Sequence, residues 1–185
     1  NGRNPDIAML DFDVSADFRE VDRMFRHMPG VVNKAATRAL NRTNNSVESI
    51  ARRMIAKDMG IPAKAVRVGM FKIKATRHSL KASTVARGRP LNLIRFKARQ
   101  TKKGVSASAW GKRKVYKGTF IGNQGRTVFK RVGKQRTPIK AVWGPSIPKT
   151  MLADYIVRAM QEKAGSQWQK NFARDLQFYL DRARF

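Results

Sequence analysis

The chain has 185 residues, with 40 Lys and Arg against 12 Asp and Glu, a formal net charge of +28 and no cysteine. That composition excludes a disulfide framework and a thiolate metal site, and 42% hydrophobic content is too high for a disordered basic tail. The length suits one domain with a core, and the charge points to nucleic acid, an anionic membrane or acidic proteins as partners.

No apolar run approaches the roughly 18 residues a membrane span needs, and the N-terminus lacks a basic-then-apolar leader pattern, so the expectation is a soluble, non-secreted protein. Residues 7–14 alternate late in the run, with Leu10, Phe12 and Val14 on one side and Asp11 and Asp13 on the other, which predicts a half-buried strand. Ser15 stands where a helix cap belongs, and Phe18, Val21, Phe25 and Met28 follow at helical spacing until Pro29-Gly30. From Val31, the recurrence of Val32, Ala36, Ala39, Thr43, Val47, Ile50 and Met54 predicts a long core helix to Gly60. Asn33, Lys34, Arg38, Arg42, Asn44 and Asn45 are expected off its apolar stripe.

A short piece starting with Pro62 comes next, and from Phe71 the period changes to two. Strands are expected at 71–76, 82–87, 93–99, 119–122, 127–132 and 139–143, with Asn123-Gln124-Gly125 as a hairpin turn. Between them, 100–118 is the most basic portion, around the small-residue run from Gly104 to Ala109, and reads as a long hairpin or arm with a poorly fixed tip. After Pro148 helix returns, with one stripe of Leu152, Tyr155, Ile156, Ala159 and Met160 and another of Ala164, Trp168, Phe172, Leu176, Tyr179 and Ala183. Gly165-Ser166 marks either a bend or the middle of one continuous helix. The fold class is α+β: N-terminal helices, a central, mostly antiparallel β-sheet with a long basic hairpin or arm, and a C-terminal amphipathic helix. The chain is expected to be a single domain, divided as 1–30, 31–60, 61–148 and 149–185.

From Met59 to Ala153 there is no acidic residue, while the same span carries 24 Lys and Arg. These charges cannot pair within their own segment, so they face water, acidic surface from elsewhere or a polyanion. Catalysis is poorly supplied. The only histidines are His27, at a helix end, and His78, in a turn, and eight of the twelve carboxylates precede Met59. Two-metal chemistry needs clustered carboxylates, which the acid-free span cannot provide. Asp11 and Asp13 are spaced like metal ligands but also like the solvent face of an edge strand. The expectation is no catalytic residue, no metal and no cofactor. Phe120 and Phe129 read as core residues, whereas Trp110, beside the basic arm, is left between core and base stacking.

Gly118-Thr119-Phe120-Ile121, Val128-Phe129-Lys130-Arg131, Arg136-Thr137-Pro138-Ile139 and Gly144-Pro145-Ser146-Ile147-Pro148 before a terminal helix resemble the minor tail protein Z family, the tail completion proteins of long-tailed phages. Ala39-Leu40-Asn41-Arg42-Thr43 in a long helix is similar to the same family, and the resemblance runs over about 31–185. It implies a virion structural protein, assembled in the host cytoplasm. It further implies a homo-hexameric ring in the neck, joining tail terminator to head connector around the DNA path, with no membrane. A ring about 40 Å thick would enclose about 24 phosphates of duplex DNA, or about four per subunit. DNA therefore accounts for part of the charge, and acidic surfaces of neighbouring proteins are expected for the rest. Lys102, Lys103, Lys112, Arg113 and Lys114 are the candidates for non-sequence-specific contact with genomic DNA. The alternative is a ribosomal or other RNA-binding structural protein; a DNA-acting enzyme lacks its carboxylate cluster.

Overall fold

In a computed structural model that describes residues 6–12 and 28–183, helices combine with three small antiparallel sheets, an α+β architecture. The helix expected at 15–28 lies outside the described residues, as do Asp13 and His27. The chain forms two compact units: a helical unit of Ala8–Ala51, Met70–Ala86 and Asp154–Phe185, and a basic β unit of Asn1–Ile7, Arg52–Gly69 and Arg87–Ala153. No helix among the described residues is long and apolar enough to cross a membrane.

The helical unit is built on α1 (Pro29–Met59). Pro29 and Gly30 lie in its first turn rather than before it, as suits a residue whose φ is already helical. Val32, Ala35, Ala36, Ala39 and Leu40 pack with Trp168 and Phe172 of the C-terminal helix, here α4 (Asp154–Ala183). The alanines allow close approach, and the two aromatic rings stack at 4.9 Å. Helix α4 runs unbroken through Gly165. Of its second predicted stripe, Trp168 and Phe172 are buried and Leu176 and Tyr179 pack against their cluster, but in the first only Ile156 and Met160 are buried, while Leu152 and Tyr155 are exposed.

Strands β1 (Asp6–Phe12), β2 (Met70–Ile73) and β3 (Ala82–Gly88) form a sheet in the order β1-β3-β2. In β3, residues Ala82 to Ala86 are all buried, and α1 meets this sheet through polar side chains. Asn41 accepts from the Ala75 N–H (2.9 Å) and donates to the Ala75 carbonyl (3.0 Å), replacing a strand neighbour. Asn44 donates to the carbonyls of Ile73 (3.2 Å) and Ser83 (3.0 Å) and accepts from Thr84 Oγ1 (2.7 Å). It is 2% exposed, so its expected place off the stripe is corrected. The buried backbone of two strands needs partners, and an amide side chain supplies both donor and acceptor. Asn171 Nδ2 of α4 donates to buried Thr43 in the same way (3.1 Å). On β1, an edge strand, Asp11 accepts from Lys81 Nζ (2.6 Å) and Ser83 Oγ (2.6 Å), which holds its carboxyl below the usual value.

The basic β unit holds the C-terminal turns of α1, a short helix α2 (Ala63–Arg67), two three-stranded sheets and a short helix α3 (Ile147–Met151). Residues 93–99 do not form the expected strand. Asn92 Oδ1 accepts from the Ile94 N–H and starts a 3-10 turn, Leu93–Arg95, that turns Leu93 and Phe96 to the same side; both are fully buried. Spacing of three, not two, was the relevant period there. The same Asn92 side chain accepts from Val128 N–H (2.9 Å) and donates to the Val128 carbonyl (3.3 Å). A Cβ at Gly144 would lie 2.7 Å from Phe96 Cε2, so glycine there is required by the seating of that ring. Ser146 caps α3 through the Lys149 N–H, and Pro148 sits in the first turn.

Asn44→Ala is expected to lower the stability of the chain by at least about 2 kcal/mol, because it strands buried groups on two strands. Urea denaturation monitored by tryptophan fluorescence reads this directly; a loss under about 0.5 kcal/mol would mean the amide is not a structural joint.

Candidate nucleic-acid interface

The basic hairpin grows from an alternation of small residues. Strands β4 (Arg99–Thr101), β5 (Gly104–Ala107) and β6 (Lys114–Lys117) pair in order, with a 3-10 turn at Ala109–Gly111 before β6. Val105, Ala107 and Ala109 point inward and are at most 1% exposed. Ser108 N–H donates to the Phe96 carbonyl (2.8 Å), and Thr119 Oγ1 accepts from Val105 N–H (3.0 Å) while donating to the Tyr116 carbonyl (2.6 Å). Gln100 Oε1 accepts from Ile121 N–H (2.9 Å), tying β4 to the next sheet. The hairpin is therefore anchored, which corrects the expectation of a poorly fixed tip. Side chains as small as alanine anchor it because their size lets β5 sit deep in the unit.

All five predicted contact residues are exposed, and they fall into two groups. Lys102 and Lys103 occupy the β4–β5 turn, at the end where Gly104 pairs with Lys117. Lys112, Arg113 and Lys114 occupy the other end, where Lys114 pairs with Ala107. About 10 Å of ladder separates the ends, at about 3.4 Å per residue. Arg113 is tied down: it donates to Ser106 Oγ (3.1 Å) and to the Lys97 carbonyl (3.1 Å). Lys114 Nζ lies 5.5 Å from the Trp110 ring centroid and 5.0 Å from that of Tyr116. Trp110 is 51% exposed in a left-handed backbone conformation (φ 56°), so its ring belongs to the surface and not to the core. The Tyr116 hydroxyl is buried without a hydrogen bond among the described residues, and burial pushes its pKa up.

Strands β7 (Thr119–Gly122), β8 (Thr127–Arg131) and β9 (Ile139–Ala141) form the third sheet. The turn at Asn123-Gln124-Gly125 has positive φ throughout, as the hairpin reading requires. Phe120 and Phe129 are register partners, with ring centroids 6.0 Å apart, and are half-buried; Val128 and Thr119 hold the inward face instead. The expectation that both Phe residues are core is corrected: alternation identified the strands but assigned the wrong face inward. The Arg131 guanidinium lies 5.7 Å from the Phe120 centroid, and Lys130 pairs directly with Lys140. Like charges opposite each other are unfavourable without an external anion.

Among the described residues, no group of three or more His, Asp or Glu lies close enough to hold a metal. His78 is exposed in the turn that follows β2. The site is thus a set of anchored strands that present cations at the surface, with an aromatic beside them. The family model of prophage minor tail protein Z matches residues 19–183, and the chain belongs to that family, the structural proteins of the phage tail; its place is in the virion. The match takes in both motif regions, Ala39 to Thr43 and Gly118 to Pro148, and starts before residue 31, where the sequence resemblance begins. No curated protein and no solved structure matches the chain.

Arg113→Ala should cost about 1 kcal/mol through its two lost hydrogen bonds, whereas Lys102→Ala and Lys103→Ala should stay within about 0.5 kcal/mol of the parent. Chemical denaturation of the three variants checks the split; equal effects would show that Arg113 is as unconstrained as the lysines.

Proposed function

We propose that this protein is the subunit of a tail completion ring: a homo-hexamer at the head-proximal end of a long phage tail, joining the tail terminator to the head connector around the DNA path. Family membership supports a structural role in the tail. The observation that carries the finer reading is the exposure of Lys102, Lys103, Lys112 and Lys114 on an anchored hairpin inside a 95-residue span without a carboxylate, 59–153. A flexible lysine delivers a point charge to a phosphate without reading a base, which suits a lumen through which any sequence must pass.

Four such lysines match the roughly four phosphates each subunit of a hexamer would meet. Arg113, spent on Ser106 and Lys97, is the least available of the original five for DNA. The rest of the positive charge is assigned to acidic surfaces of the neighbouring tail proteins. The reading assigns no catalysis to the chain, and no observation favours the ribosomal alternative.

Replacing Lys102, Lys103, Lys112 and Lys114 together with alanine should weaken duplex binding by at least about tenfold at low salt. It should also flatten the slope of log K against log salt by up to about 3.6. Ring formation seen by negative-stain imaging should persist. An unchanged affinity and slope would remove DNA contact from the hairpin.

A further inference from the structure

A second cationic surface lies outside the acid-free span, where α1 and α4 run together in the helical unit. Arg38 Nε, Arg42 Nη1 and Arg174 Nε lie 3.7, 3.5 and 3.8 Å from one oxygen, Asp175 Oδ1. The Asp175 side chain is 3% exposed, whereas the three arginines are 40%, 36% and 58% exposed. Farther along the seam, the guanidinium carbons of Arg38 and Arg182 lie 5.1 and 5.0 Å from the centroid of Phe178, itself half in water. Arg174 also donates to Asn171 Oδ1 (3.2 Å), whose amide holds Thr43, so the arginine is positioned by the core.

Three guanidiniums thus share one carboxylate, and a fourth, that of Arg182, lies over Phe178 beside Arg38. Each carries five N–H donors, and separations of 3.5 to 3.8 Å from Asp175 are ionic contacts rather than hydrogen bonds, so most of those donors are not spent on it. Asp175 Oδ2 is buried and makes no hydrogen bond among the described residues. The carboxylate gathers the guanidiniums without neutralising them.

We infer that this seam is the docking site for a carboxylate-rich segment of a partner protein. A planar fork fits a carboxylate with two parallel hydrogen bonds, and preorganisation by Asp175 and Phe178 reduces the entropy lost on binding. Arginine around an exposed aromatic is the makeup of protein-interface hot spots, while the hairpin's lysines have the makeup of phosphate contacts. The Phe178 ring already carries two guanidiniums, so a stacked base would have to displace them. That the segment comes from a neighbouring tail protein rests on the ring reading; carboxylate binding by the seam does not.

The test uses the full chain and a fluorescein-labelled hexaglutamate peptide, with a mixed-sequence DNA duplex in parallel, read by fluorescence anisotropy at low salt. Arg182→Gln should weaken peptide binding by about tenfold, and the charge-preserving Arg38→Lys and Arg182→Lys by about threefold or more, with duplex affinity unchanged. The lysine variants keep the test decisive if the glutamine variant does not fold. Peptide affinity unchanged in all of them, or duplex affinity falling as far as peptide affinity, overturns the inference. Asp17, Glu20 and Asp22 lie outside the described residues, so a variant with Asp17→Asn, Glu20→Gln and Asp22→Asn supplies the last arm. Unchanged peptide affinity in it supports an external partner, whereas a marked rise would show that the chain's own acids occupy the seam and would overturn the proposal. If the hairpin lysines prove not to bind DNA while the seam binds peptide, the ring reading loses its DNA contact and the seam stands.

Discussion

Twelve carboxylates cannot stitch together a chain with forty cations, and the structure depends on how that shortage is met. Among the described residues, most of the tertiary side-chain hydrogen bonds are made by neutral amides and hydroxyls. Asn41 closes on both backbone groups of Ala75, Asn92 closes on both of Val128, and Thr119 and Gln100 join the two sheets of the basic unit. Each of these side chains offers what a neighbouring peptide would offer. Such joints are insensitive to pH and to ionic strength, and they consume no charge.

The consequence is a division of labour between side chains that hold the fold and side chains that leave it available to others. Carboxylates appear where they organise cations: Asp11 with Lys81, and Asp175 amid Arg38, Arg42 and Arg174. Many of the other described cations are exposed, in places against one another, as with Lys130 and Lys140. Self-repulsion on this scale destabilises a compact monomer. On the proposed reading, acidic surfaces of neighbouring tail proteins relieve that repulsion.

Much of the fold was legible because its periodicities are strong. The long helix α1, the hairpin across Asn123-Gln124-Gly125 and the Trp168-Phe172-Leu176 stripe all follow from spacing alone. Segment 93–99 was misread because Leu93 and Phe96 could be fitted to either period, and the cap at Asn92 decided for a turn. The inward role of Asn44 was hidden because asparagine carries no apolar signal, although three asparagines within Asn41 to Asn45 of one helix, where the residue is a poor helix former, are themselves a sign of work outside the helix. Of the candidate site, the hairpin's cations were visible as a charge run, but the restraint of Arg113 depends on register. The arginine seam joins residues 38 and 42 to 174 and 182, and no local pattern announces a surface assembled across that distance.

The central claim is that neutral joints hold this protein while its charges oppose the fold and serve partners. Thermal unfolding of the purified chain from about 50 to about 500 mM NaCl tests it most directly, since screening acts on charges and hardly on amide hydrogen bonds. The account predicts that the midpoint rises with salt as self-repulsion is relieved. A midpoint that falls with salt would show that ion pairs hold the fold, and would contradict it.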